Sequence, residues 1–346
     1  MRDMSNSQGA QICTDKLSWK TKLGMAIFGF GIRSSVNRSN GTINRFIMSL
    51  FDIKSPPTNT PKNGIQSTDV VVDPNRNLWF RLYNPTATDT SLPVIIYFHG
   101  GGFAFVSANS IAMDTYCKRL AKQLPAVIIS VNYRLTPEHR YPCQYDDGLD
   151  VLKFIDSNLN FKGFPANADL NRCFVAGDSA GGNIAHHVTL RACDSNFSSV
   201  NIIGLIGLQP FFGGEERTES EIKLVDVPYI TIQGTDSLWR MFLPEGSNRD
   251  HPAANVSGPN ADDISKVAKF PSTIVFVGGF DPLKDWQKRY YEALKRHGKE
   301  AYLVEYPNVF HAFYSIPELE ESDMLIEEVK RFMEKQSLKV LEGTTK

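Results

Sequence analysis

Residues 174–183, FVAGDSAGGN, join an apolar run to a helical pattern with no loop between them. The segment NRCFVAGD is strand-like, and GGNIAHHVTLRAC then carries apolar residues at helical spacing. Between the two stands G-x-S-x-G, with glycine at 177 and 181. In so tight a turn a Cβ at either glycine would collide with its neighbours, and Ser179 is left at the apex. A buried strand feeding straight into a helix is the building unit of a parallel sheet covered by helices.

The same unit recurs on both sides. STDVVVD, LWFRLYNP, PVIIYFH and AVIISVNY precede it, and IIGLIGLQP, PSTIVFVGG and EAYLVEYP follow it. The later runs are almost continuously apolar, as strands buried on both faces are. IAMDTYCKRLAKQL and DGLDVLKFIDSNL have helical spacing. The alternation predicts right-handed βαβ units and an α/β fold with a mostly parallel central sheet flanked by helices. Ligands of such sheets bind at the carboxyl ends of the strands.

Two segments break the rhythm. Residues 15–52 read as helices and lead into the connector SPPTNTPKNG, so 1–60 is expected to form an N-terminal helical cap segment. Residues 61–346 are then the core, with a second cap piece inserted at about 213–259. After about Met333 the chain turns polar and is expected to fray.

Lys plus Arg (37) balance Asp plus Glu (38) in 346 residues, and neither sign forms a long run. That argues against a nucleic-acid groove or a polybasic membrane patch and leaves a small molecule as the expected partner. The N-terminal residues are polar where a secretory signal has its apolar core, and the apolar stretch Leu23 to Ile32 is too short to cross a bilayer. Five cysteines (13, 117, 143, 173, 193) contain no CxxC pair. This suits a reducing compartment, cytoplasm or nucleus, and supplies no zinc spacing; neither a cofactor nor a metal is implied.

G-x-S-x-G alone also occurs in ordinary glycine-rich turns, so its meaning rests on context. Here the serine follows a buried strand and opens a helix, whose positive dipole end favours a developing anion. A second glycine-rich stretch, HGGGF at 99–103, follows another strand. Glycines there let backbone N–H groups approach a substrate carbonyl closely, and Gly101, Gly102 and Ala180 are the expected oxyanion donors. His99 belongs to this loop and is expected to orient it. Of the later histidines, His186 and His187 lie on the helix leaving the serine, His251 in the inserted segment, and His297 at a helix end. His311, in a loop just after the strand AYLVEYP, can reach the serine across the sheet edge. Asp281 follows the preceding strand and can hold that imidazole. Asp285, a turn further on, is expected to face solvent. Ser179, Asp281, His311 is the chain order expected of a serine at a strand-to-helix turn. Asp178 is read as support for the turn or as pocket wall. Phe103, Phe105 and Asp236 are read as pocket residues from their places near the loop and cap. Trp239, Met241 and Phe242 suggest an apolar pocket for a small hydrophobic molecule with a short acyl group.

These motifs resemble the plant carboxylesterases of the hormone-sensitive-lipase-like branch of the α/β-hydrolase superfamily, which also contains the gibberellin receptors. The resemblance spans about residues 40–335 through SNGTINR, HGGGF, NYRLTPEHRYP, GDSAGGNIAHH, PFFGGEERTESE, LWRMFLPEGSNRDHP, GGFDPLKD and FHAF. It implies an eight-stranded sheet, an N-terminal helical cap, and a Ser-Asp-His triad carried onto Ser179, Asp281 and His311. In the receptors the histidine position is typically aliphatic and the third loop glycine typically serine. Here both positions keep the esterase form, His311 and Gly102, which favours a carboxylic ester hydrolase acting through an acyl-enzyme. A non-hydrolytic hormone-binding protein and a lyase or cyclase on the same scaffold remain open.

Overall fold

The computed structural model of the chain describes residues 14–37, 41–86, 90–159, 161, 163–225 and 227–343. Cys13, the polar residues before it and the start of SNGTINR lie outside them.

Eight strands form one sheet: β1 (Ile65–Asp73), β2 (Leu78–Pro85), β3 (Leu92–Phe98), β4 (Val127–Asn132), β5 (Ala168–Asp178), β6 (Ile202–Leu208), β7 (Ser272–Phe280) and β8 (Ala301–Phe310). Their spatial order is β1-β2-β4-β3-β5-β6-β7-β8. Only β2 runs against the rest; its neighbours β1 and β4 both pair with it antiparallel, and every other pairing is parallel. All seven residues of β3 are buried, whereas the edge strand β1 alternates between buried and more exposed positions. A strand sends successive side chains to opposite faces. Accordingly Val94, Ile96 and Phe98 of β3 join one core layer, and Ile95 and Tyr97 join the other.

Helices cover both faces: α1 (Trp19–Ser35), α2 (Arg45–Ser49), α3 (Ile111–Gln123), α4 (Cys143–Ser157), α5 (Ala180–Cys193), α6 (Glu219–Lys223), α7 (Ile232–Phe242), α8 (Lys284–Arg296) and α9 (Glu320–Gly343). The 15–52 region is less uniformly helical than its spacing suggests. After α1 the short strands Val36–Asn37 and Thr42–Ile43 pair antiparallel before α2 begins. Ser18 caps α1 by accepting from the Thr21 N–H. The outer side of this region stays apolar and exposed at Trp19, Leu23, Ile27, Phe30, Phe46 and Leu50. The inserted region carries α6 and α7 between β6 and β7.

The C-terminus corrects the expectation of fraying, since α9 continues to Gly343. Gln336 and Ser337 are buried, and Lys339 pairs with Glu300, just before β8, at 2.7 Å. Polar composition is a poor guide here because the helix packs its buried side against the sheet while Lys335 donates to Tyr302 of β8 at 2.9 Å. Among the described residues no helix is long and apolar enough to cross a membrane.

Candidate active site

β5 ends at Asp178 and α5 begins at Ala180, leaving Ser179 as the whole turn. Ser179 has φ 51°, in the left-handed region that non-glycine residues seldom occupy. The strain is held by four backbone bonds: the Ser179 N–H donates to Leu208, and its carbonyl accepts from Gly182, Asn183 and Phe211. A Cβ on Gly177 would overlap the Gly181 carbonyl, and one on Gly181 would overlap the Phe98 carbonyl. The turn therefore needs both glycines because backbone lies against backbone.

At the tip, His311 Nε2 stands 3.0 Å from Ser179 Oγ and His311 Nδ1 stands 2.8 Å from Asp281 Oδ2. A carboxylate can only accept, so Nδ1 carries the proton and Nε2 faces the serine hydroxyl as acceptor. Asp281 is fully buried and receives three further donors: Gln209 Nε2 at 3.0 Å, Gln287 Nε2 at 2.8 Å and the Leu283 N–H at 2.9 Å. Gln209 also accepts from the Ala312 N–H at 2.8 Å. Neither glutamine was singled out in the sequence. The only available signal was Gln209 ending the apolar run IIGLIGLQP, a buried polar residue at a sheet edge.

The glycines after His99 answer to three different neighbours. A Cβ on Gly100 would overlap the Asp178 carboxylate, one on Gly101 the Phe105 carbonyl, and one on Gly102 the Leu238 side chain of α7. Protein packing, besides any approach of a substrate, thus requires Gly100 and Gly101, whereas Gly102 meets a flexible leucine and is favoured by its φ of 61°. No acceptor among the described residues takes the N–H groups of Gly101, Gly102 and Ala180.

Asp178 does not face a pocket. Its buried carboxylate accepts from the Tyr97 hydroxyl, the Gly100 N–H at 2.8 Å and the Tyr314 hydroxyl at 2.9 Å. It ties the serine turn to the glycine loop and to the segment after His311, and burial raises its pKa. His99 is fully buried, stacks on Tyr133 and bonds through Nδ1 to its neighbour's carbonyl. Burial holds it neutral, with a pKa of about 4. His186 is buried against Tyr290 and pushed down to about 3, and His187 stacks on Tyr145.

The residues read as pocket walls lie elsewhere. Phe103 is fully buried and stacks on Phe242 with centroids 3.8 Å apart, packing the glycine loop onto α7. Phe105 is buried in a small cluster with Ile43, Met48 and Met241. Trp239, Met241 and Phe242 all point inward. Asp236 is held by Arg217 and by Arg249 at 2.8 Å, an ion pair inside the inserted region. Asp285 does not face open solvent, because it accepts from the Ser220 N–H of α6 at 2.8 Å. From the N-terminal region, Arg45 donates to the carbonyls of Ala104 and Thr136 and pairs with Glu138. Among the described residues no group of three or more His, Cys, Asp or Glu could hold a metal ion.

A family profile described as "alpha/beta hydrolase fold" matches residues 95–315. The gibberellin receptor GID1C of Arabidopsis thaliana is 41% identical over 313 residues, covering 86% of this chain and 89% of the receptor. Carboxylesterase 20 of the same plant is 36% identical over 276 residues, covering 77% of this chain and 84% of the enzyme. Among solved structures, a Pyrobaculum calidifontis esterase superposes with a TM-score of 0.68 at 27% identity, covering 82% of this chain and 87% of the esterase.

Proposed function

The chain belongs to the α/β-hydrolase family that includes plant carboxylesterases and gibberellin receptors, and from that membership we propose that it hydrolyses carboxylic esters through a serine acyl-enzyme. The observation that carries the reading is the hydrogen-bonded line from Ser179 Oγ through His311 to Asp281.

In the proposed reaction His311 Nε2 takes the Ser179 hydroxyl proton as Oγ attacks the ester carbonyl carbon. Asp281 holds the imidazolium in place. The N–H groups of Gly101, Gly102 and Ala180 receive the oxyanion, each such donor being worth roughly 3 kcal/mol of barrier in comparable sites. His311 then protonates the leaving alkoxide oxygen, and an acyl group remains on Ser179. Water, deprotonated by the same histidine, attacks the acyl carbon; as the bond to Oγ breaks, His311 returns the proton to Ser179 and the acid leaves. Leu238 lies directly over Gly102, which supports a short acyl group on that side, and we assign the N-terminal helices and the α6–α7 region to the cap above a small apolar ester.

A second reading, small-molecule binding without turnover, is favoured by the identity to the gibberellin receptor. The two separate on the use of His311. Intact mass after exposure to a reactive organophosphonate, beside turnover of p-nitrophenyl acetate, decides between them. One adduct per wild-type chain is expected, with turnover falling at least about a thousandfold in Ser179→Ala and in His311→Ala. A wild type that neither labels nor turns over would favour the binding protein.

A further inference from the structure

Asp281 and His311 arrive on two separate loops, and the side chain of Gln209, following β6, touches both. Its Nε2 donates to Asp281 Oδ2 at 3.0 Å and to the Phe310 carbonyl at 3.3 Å, while its Oε1 accepts from the Ala312 N–H at 2.8 Å. The amide therefore grips the backbone on either side of His311 together with the carboxylate on which the ring leans.

The surroundings are shaped around this amide. Gln209 is fully buried, and its backbone sits at φ 44°, an unfavourable place for a residue with a Cβ. A Cβ on Gly278 would come within 2.5 Å of Gln209 Nε2, so the neighbouring strand leaves room for it by carrying none. An amide is a side chain that can offer a donor and an acceptor side by side in one plane. A hydrocarbon or thioether of the same length would fill the volume and hold neither loop.

We propose that Gln209 is a positioning residue for the reaction, fixing the distance and angle between Asp281 and His311 so that Nε2 stays on Ser179. The proposal rests on the hydrolase reading above. Displacement of a catalytic group by about 1 Å can cost roughly a hundredfold in rate, so a modest loosening of this pair is measurable.

The experiment compares wild type with Gln209→Met, Gln209→Glu and His311→Ala. It follows the pH dependence of kcat/KM on p-nitrophenyl acetate and the downfield proton NMR signal of the His311 Nδ1–H, assigned by its loss in His311→Ala. For Gln209→Met we expect kcat to fall about 10- to 100-fold with KM little changed. Its acid limb should move to lower pH, because the imidazolium loses its oriented carboxylate, and its NMR signal should move upfield and broaden. For Gln209→Glu the new carboxyl faces Asp281 Oδ2 in place of Nε2, so the two carboxyls share one proton at low pH, and its loss should add a further titration to the profile that Gln209→Met lacks. A packing defect would not shift the limb of one variant and add a titration to the other. Folded variants that keep the wild-type limb and signal overturn the proposal, even with a lowered melting temperature. If Gln209→Met does not fold, Gln209→Glu, which keeps the Ala312 contact, carries the test. A wild type without turnover would sink the hydrolase reading instead, and the NMR signal would still decide whether Gln209 holds the pair.

Discussion

Gly102 is pressed from one side by the Leu238 side chain and held at φ 61°, so a methyl group there meets both a steric and a conformational objection. Gly102→Ala should lower kcat/KM on a short-chain ester by about 10- to 100-fold, since the N–H assigned to the oxyanion is driven off line. Because the clash is with a flexible leucine, Leu238→Ala should restore part of that loss, and the double-mutant cycle reads the coupling. No recovery in the double variant would mean that φ, and not Leu238, sets the requirement. Asp178 makes a similar point with opposite chemistry. Three donors converge on its two buried oxygens, and an asparagine offers a single acceptor oxygen. Asp178→Asn should lose about 1–3 kcal/mol in urea unfolding through the donor left unpaired.

The glycine loop is steadied by an element remote in sequence. Arg45 at the start of α2 donates to the carbonyls of Ala104 and Thr136 while pairing with Glu138. The N-terminal helix is also fastened to the segment after His311, where Glu318 accepts from the Ser18 N–H and hydroxyl, each at 2.8 Å, and from the Thr21 hydroxyl at 2.7 Å. The N-terminal helices are thus anchored both to the glycine loop and to the segment after His311. Arg45→Ala should accelerate amide hydrogen exchange in residues 19–52 before the sheet opens, and Arg45→Lys should not restore protection, because a point charge cannot replace a planar fork reaching two carbonyls and a carboxylate. Equal protection in wild type and Arg45→Ala would remove Arg45 from this role.

At the scale of the whole molecule, three buried imidazoles make folding acid-sensitive. Burial holds His99 at about 4 and His186 at about 3, and His187 also lies well below the ordinary value. The unfolded chain takes up these protons near pH 6.5 and the folded chain does not, so stability is complete above that value and falls with decreasing pH. Each group contributes up to about 1.4 kcal/mol per pH unit in that window. Buried-histidine linkage should therefore dominate between about pH 6.5 and 4.5, before carboxylates such as Asp263 and Glu300, both held down at about 2, begin to matter. In denaturant titrations the stability of His186→Gln should depend less steeply on pH by about one proton, whatever its stability at neutral pH. An unchanged slope would show that His186 is protonated in the folded state.

The sequence by itself determined the sheet and the turn at Ser179, because both depend on local rules. Continuous apolar runs become strands buried on two faces, and Gly177 and Gly181 are required by backbone within a few residues of them or by the adjoining strand. It also ranked His311 and Asp281 above the other histidines and acids, since each directly follows a strand at the carboxyl edge. Only the tertiary structure decided what surrounds them. Asp178, Phe103 and Asp236 are chemically eligible for a pocket, yet the first two are turned away by partners far along the chain, Tyr314 and Phe242, and Asp236 by Arg249, 13 residues on within the inserted region. Gln209 shows the converse. Its role depends on Asp281 and Ala312, 72 and 103 residues away, and such distances are closed by sheet order and loop packing, which no local pattern records.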